Sequence, residues 1–190
     1  MTGVVEAGAV GVNLEDSRAG TATLFTPDEQ AERFTAARAA AASAGLADLW
    51  LNARTDVYLF GIGEPAGRFA DVLTRARVYA EAGADSIFVP GLVDVEVLAD
   101  LAKSSPIPVS AMAGPGAPPV SDLAAAGVRR VSVGTSIAQA AYSLAHHAAA
   151  EVLKQGTYGE VTGALDFWNG ERLVQLATAK PGTRRLSGAG

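Results

Sequence analysis

Apolar and polar positions alternate along the chain in a repeating unit. Four stretches show it: AGAVGVNLED (7–16), AGLADLWLNARTD (44–56), AGADSIFVPG (82–91) and AAGVRRVSVGT (125–135). Each runs from alanine and glycine through a short β-rich segment to a polar or glycine-rich exit. Gly8, Gly45, Gly83 and Gly127 stand where a helix ends in the left-handed conformation, which favours a residue without a Cβ. The apolar run after each glycine reads as a strand buried on both faces, as in parallel sheets. IPVSAM (107–112), introduced by Ser104-Ser105-Pro106, reads as a fifth strand.

Helical periodicity fills the gaps. Thr26 is placed to cap a helix running to about Ser43, with Pro27 in its first turn and Asp28 and Glu29 at its positive end. Further helices are expected over 66–82, 93–103, 120–126 and 135–154. An amphipathic segment over 164–177 carries Phe167 and Trp168, either as local core or as an intersubunit anchor. The tail 180–190 lacks apolar periodicity and reads as disordered. The opening MTGVVEAGAV looks like the last turns of a helix.

Strict β/α alternation means an α/β fold with a parallel sheet. A doubly wound sheet usually carries a glycine-rich ligand loop after its first strand, and no strand here is followed by one. A (β/α)8 TIM barrel has eight such units in about 250 residues. The five units here in 190 residues predict the C-terminal five βα units of such a barrel plus C-terminal helices. The expected divisions are a partial barrel over 1–154, a helical extension over 155–179 and the tail 180–190.

Composition narrows the chemistry. Apolar residues make up 49% and charged residues 18%, so the chain has the makings of a packed core. The net charge of −5 is scattered, with no basic stripe for nucleic acid. There is no cysteine, which removes disulfides, thiolate metal sites and a thiol nucleophile. No apolar run approaches the ~20 residues of a membrane span, and the N-terminus lacks the pattern of a signal peptide. A cytoplasmic protein is the expectation.

In parallel α/β folds, function gathers at the C-terminal ends of the strands. Those ends offer Asn13, Glu15 and Asp16; Asn52, Arg54, Thr55 and Asp56; Pro90 and Gly91; Ser110; and Gly134, Thr135 and Ser136. On neighbouring strands, Glu15 and Arg54 would face one small space. A carboxylate there can hold Mg²⁺, directly or through water, and a guanidinium can grip a carboxylate or phosphonate bidentately. The plainer alternatives are a polar strand exit capping the next turn for Glu15 and Asp16, and an ion pair with Asp56 or Asp16 for Arg54. AGPGAPP (113–119) is a tight connection or a ligand loop. Gly134-Thr135-Ser136 is an N-cap or an anion site. His146 and His147 point about 100° apart on one helix and cannot share a metal as an i, i+4 pair would.

GAVGVNLEDS, LNARTDVYL, RARVYAEAGADSIFVPG and PVSAMAGPG followed by LAAAGVRRVSVG resemble the isocitrate lyase/phosphoenolpyruvate mutase superfamily in order and spacing, across about residues 3–140. The resemblance implies a (β/α)8 barrel, a homo-oligomer joined through its C-terminal helix, and Mg²⁺ as cofactor. It also implies lyase, mutase or hydrolase chemistry on C–C or P–C bonds of small α-keto or dicarboxylic acids, through a pyruvate-enolate-like intermediate. Matched by position, Glu15 corresponds to a glutamate that meets Mg²⁺ through water, with Asp16 in support. Arg54 corresponds to the arginine that binds the substrate's anion, with Asn52, Asp56 and Ser110 as accessory contacts. The family's paired metal aspartates lie on an earlier strand that has no counterpart here. Its lysine-cysteine-histidine loop is replaced by SRAGTATLFTPDE, and Val89-Pro90-Gly91 stands where lyases carry a glutamate. The alternative is a non-catalytic remnant, or half of a split barrel that needs a partner chain.

Overall fold

The structure is a computed structural model that describes residues 1–164. The expected amphipathic segment with Phe167 and Trp168, and the tail, lie outside the described residues apart from Ala164. The first unit, Met1–Ser136, contains the whole sheet. Its elements are α1 (Thr2–Glu6), β1 (Gly11–Glu15), α2 (Pro27–Ser43), β2 (Trp50–Arg54), α3 (Arg68–Glu81), β3 (Ser86–Val89), α4 (Val95–Ser104), β4 (Val109–Met112), α5 (Val120–Ala125) and β5 (Arg130–Ser132). A 3-10 turn at Pro65–Gly67 leads into α3.

Local chemistry sets these boundaries. Thr26 and Glu29 form a capping box at the start of α2. The Thr26 hydroxyl accepts from the Glu29 N–H at 3.2 Å, and the Glu29 carboxylate accepts from the Thr26 N–H at 2.8 Å. Asp94 starts α4 by accepting from the N–H groups of Glu96 and Val97 at 2.9 and 3.0 Å. The helix ends repeat one device. After α2, Gly45 has φ of 89° and donates to Ala42 while Leu46 donates to Ala41; after α3, Gly83 has φ of 97° and the bonds run to Ala80 and from Ala84 to Tyr79. This is the Schellman pattern, and the positive φ is why glycine recurs at that point of the unit.

The strands pair in parallel in the order β1-β2-β3-β4-β5. Register carries Glu15 to Arg54, Phe88, Ser110 and Arg130 in one row across the sheet. A second row runs Asn13, Asn52, Ser86. Side chains alternate across the sheet, so these rows share one face, with Trp50. The other face carries Leu51, Ala53, Ile87, Val89, Val109 and Ala111, all buried, with Val12, Leu14 and Val131 partly so. They pack on Phe34, Ala37 and Ala41 of α2, Val72, Ala76 and Tyr79 of α3, and Leu98, Leu101 and Leu123 of α4 and α5.

The expectation of strands buried on both faces therefore holds for β3, where every residue is buried, and fails at the edges. β1 and β5 alternate or remain exposed. Among the described residues of the first unit, their second face has no helix against it; it is the polar, concave side of a half-barrel. Curvature brings Arg130 of β5 to the same cavity as Gly11, Asn13, Trp50 and Asn52, a space of about 380 Å³.

The second unit begins at Ile137 and carries most of α6 (Ser136–Gln155). Past its end, the Glu151 carboxylate accepts from the Thr157 hydroxyl and from the N–H groups of Gly159 and Glu160 at 2.6–2.7 Å. These bonds hold its pKa below the usual carboxylate value, the Thr157 hydroxyl most of all.

Candidate functional site

Glu15 and Arg54 end adjacent strands in direct register, so their side chains leave the sheet side by side. Arg54 Nη1 lies 3.1 Å from Glu15 Oε2. On its other edge Arg54 donates from Nε to Asp56 Oδ1 at 2.7 Å and from Nη2 to Asp56 Oδ2 at 3.1 Å. Asp56 is fully buried, Arg54 is 28% exposed and Glu15 is 48% exposed. A guanidinium has five N–H donors, and Asp56 takes two of them along the Nε/Nη2 edge. Nη1 pairs with the half-exposed Glu15, and one N–H on each of Nη1 and Nη2 remains beyond these contacts. Burial alone would weaken the charge of Arg54. The Asp56 hydrogen bonds and the charges of Asp56, Glu15 and Asp16 more than offset it, so its pKa lies above the ordinary arginine value.

Asp16 has the opposite environment to its neighbour Glu15. It is fully buried, and both carboxylate oxygens are occupied. Oδ1 accepts from the Asp56 N–H at 3.1 Å. Oδ2 accepts from Arg75 Nη1 at 3.1 Å and the Tyr79 hydroxyl at 2.9 Å. Burial pushes its carboxyl pKa up, against the pull of Thr55, the Asp56 N–H, Arg75 and Tyr79. The Thr55 hydroxyl is buried beside it without a hydrogen bond of standard geometry. Burial, together with the adjacent Asp16 charge, also raises the Tyr79 phenol well above its usual value.

The remaining predicted residues lie on the concave face. Asn52 is buried with both ends of its amide taken: Nδ2 donates to Asn13 Oδ1 at 2.7 Å, and Oδ1 accepts from the Ser86 hydroxyl at 2.6 Å. The Trp50 indole N–H donates to the same Ser86 oxygen at 2.9 Å. Asn52 thus belongs to a polar ladder one row below Arg54. Ser110 is buried in the Arg54 row, between Phe88 and Arg130. His146 and His147 are exposed on α6.

The donor set does not suit a magnesium ion on its own. Mg²⁺ asks for about six oxygens in octahedral order. Asp16 and Asp56 already accept from N–H, hydroxyl and guanidinium donors, which leaves the half-exposed Glu15, itself paired with Arg54. Among the described residues no three His, Asp or Glu side chains are grouped to hold a metal.

Sequence reading missed the groups that support the mouth from behind. Arg75 and Tyr79 sit four residues apart on the buried face of α3 with Val72 and Ala76. An arginine at a core position of an amphipathic helix is itself the signal, because a buried charge needs a partner. Arg33 Nη1 donates to the Glu15 carbonyl at 2.9 Å, and its guanidinium and that of Arg18 both lie over the Phe25 ring, at 4.3 and 4.1 Å. Gly91, in the Val89-Pro90-Gly91 exit, has φ of 86°, and a Cβ there would come within 2.8–2.9 Å of the Tyr58 and Leu59 backbone. That close approach seats the β3 exit against the segment following Asp56.

Comparison with known proteins bears on the lineage of the chain. Residues 1–153 match the phosphoenolpyruvate phosphomutase family. The chain is 34% identical to a functionally uncharacterised protein of Mycobacterium tuberculosis over 149 residues, 78% of this chain and 54% of that one. Two crystal structures from Burkholderia cenocepacia J2315 are similar. One, a candidate phosphonomutase, is 40% identical with a TM-score of 0.71 and covers 82% of this chain and 61% of its own. The other, a candidate lyase/mutase, is 33% identical with a TM-score of 0.78 and covers 90% of this chain and 60% of its own. The chain therefore spans little more than half the length of the mycobacterial relative. Its strand order and its likeness to these proteins agree on one lineage, and the chain belongs to the isocitrate lyase/phosphoenolpyruvate mutase superfamily.

Proposed function

We propose that this chain forms the arginine-bearing wall of an active site that makes or breaks a C–C or P–C bond beside the carboxylate of a small α-keto or dicarboxylic acid. The observation that carries the proposal is the Nη1/Nη2 edge of Arg54. Its Nη1 lies at the strand mouth, 3.1 Å from Glu15 Oε2, and Asp56 fixes the adjoining Nε/Nη2 edge, so each terminal nitrogen keeps one further N–H. Such a fork takes a carboxylate or phosphonate in two parallel hydrogen bonds. Cleavage next to a carbonyl leaves enolate charge, and fixed donors aimed at that charge stabilise the transition state more than the ground state. Glu15, half-exposed and beside the guanidinium, is the group at the mouth able to accept a proton or orient water.

Proteins of the same fold support the substrate class. An oxaloacetate acetylhydrolase is 22% identical with a TM-score of 0.74, and a phosphonopyruvate hydrolase, solved with oxalate and Mg²⁺, is 24% identical with a TM-score of 0.67. Magnesium dependence belongs to this reading. Among the described residues the mouth offers such an ion only Glu15, itself paired with Arg54, so the part proposed for this chain rests on its guanidinium.

The test is loss of oxaloacetate and release of pyruvate by the purified protein, with and without Mg²⁺, beside Arg54→Lys and Arg54→Ala. Lysine keeps a cation next to Asp56 but loses the fork. Turnover that falls about ten-fold or more in Arg54→Lys supports the proposal. Absent turnover, or turnover indifferent to both substitutions, overturns it. One observation favours a second reading, a chain that acts only with a partner: among the described residues β1 and β5 each pair on one side. Turnover that appears only in a larger assembly, followed by sedimentation velocity, distinguishes the two.

A further inference from the structure

The geometry points to Asp16, Arg75 and Tyr79 as positioning residues for Arg54, acting through Asp56 and not through a metal. This inference rests on the proposed role of Arg54. It follows from an unbroken set of contacts between α3 and the strand mouth. Arg75 is anchored at Nε by Asp71 at 3.0 Å, one turn earlier in α3. Its Nη1 donates to Asp16 Oδ2, to the Tyr79 hydroxyl at 2.9 Å and to the Phe25 carbonyl at 3.0 Å. Tyr79 donates in turn to Asp16 Oδ2. Asp16 is thereby fixed on one side, and on the other its Oδ1 receives the Asp56 N–H. Its main chain closes the arrangement: the Asp16 N–H donates to the Arg54 carbonyl at 3.0 Å, and the Asp16 carbonyl accepts from Phe25 at 2.8 Å.

The consequence concerns Asp56. Its side chain is the clamp on the Nε/Nη2 edge of Arg54, and its backbone is held at the strand exit by Asp16. Aspartate has only two side-chain torsions, so a fixed Cα leaves its carboxylate few ways to point. A shift of about 1 Å in a binding group costs a large part of its effect. Asp16, although adjacent to Glu15 in sequence, faces away from the space that Glu15 borders. With both oxygens taken by protein donors, it is available to no ligand in that space.

The relay is testable without turnover. The Arg54 Nε–H resonance is assigned by its loss in Arg54→Lys, and its exchange with water is compared in wild type, Tyr79→Phe, Arg75→Gln and the control Arg77→Gln on the exposed side of α3. Tyr79→Phe removes one hydroxyl and keeps the ring. It should speed Arg54 Nε–H exchange about ten-fold while the amides of β3 and α2 keep their protection. Arg77→Gln should change nothing. Oxalate, used as a dicarboxylate probe, should bind about five-fold more weakly to Tyr79→Phe than to wild type. An Arg54 Nε–H that exchanges freely in wild type, or is untouched in a folded Tyr79→Phe, overturns the inference. If Arg75→Gln does not fold, Tyr79→Phe decides alone. Failure of oxalate to bind even the wild type counts against the proposed function and leaves the Arg54 exchange to decide this relay.

Discussion

The two faces of the sheet use the same strands for opposite purposes. On the helix side every inward position of β2, β3 and β4 is aliphatic and closed from solvent. On the concave side the same strands present Asn52, Arg54, Ser86 and Ser110, joined at the edges by Asn13, Glu15 and Arg130. The first face holds the fold, because apolar burial there amounts to about 1.5–3 kcal/mol for each large side chain removed from water. The second face carries the polar groups, among them the Asn13–Asn52–Ser86 ladder and the Glu15–Arg54 pair. Adjacent residues can therefore meet unlike fates, as Glu15 and Asp16 do at the end of β1. Glu15 leaves the sheet on the concave side, whereas Asp16 turns beneath Asp56 toward α3.

If this division is right, damage should be largest where charge is buried behind the sheet. Arg75→Met leaves the Asp16 carboxylate without its cation, and should lower stability by about 3–5 kcal/mol in urea unfolding. Leu51→Ala, on the helix face of β2, should cost about 3 kcal/mol through lost transfer energy and the cavity left behind. A cost under about 1 kcal/mol would mean that this face is looser than its burial indicates.

Smaller effects belong to the surface. The Thr26 N–H, and after it Arg18, hold Glu29 below its ordinary pKa of 4.5. Its folded value is depressed, so its contribution is present above that ordinary value and disappears as pH falls through the folded one. Glu29→Gln should thus match wild type in acid and fall slightly below it at neutral pH, read as the difference between two Tm-versus-pH curves. Smallest of all, Arg130→Gln on the concave face should change stability by no more than about 0.5 kcal/mol. A larger loss would show that Arg130 carries structural weight across the cavity.

Much of this arrangement is legible in the chain itself. Each Schellman glycine, the Thr26-Pro27-Asp28-Glu29 start of α2 and the five apolar runs are local signals, and the elements fall within a few residues of where those signals place them. Glu15 and Arg54 are legible too, because equivalent points of consecutive βα units must come together when the strands pair in register. Asp56 is a half-case. Its pairing with Arg54 was one of the open alternatives, and it coexists with the contact from Arg54 to Glu15 instead of replacing it.

What the sequence determined by itself was therefore the order of the elements, their limits and the two charges at the mouth, since all of these depend on neighbours within a few positions or on a simple repeat. Tertiary structure alone decided which face of each strand was closed in the first unit, and that the Asp16 side chain meets α3 while that of Glu15 meets Arg54. The last of these depends on contacts across 59 and 63 residues of chain, from Asp16 to Arg75 and Tyr79. No local propensity encodes such a separation, and only the curvature and packing of the sheet bring the partners within hydrogen-bond distance.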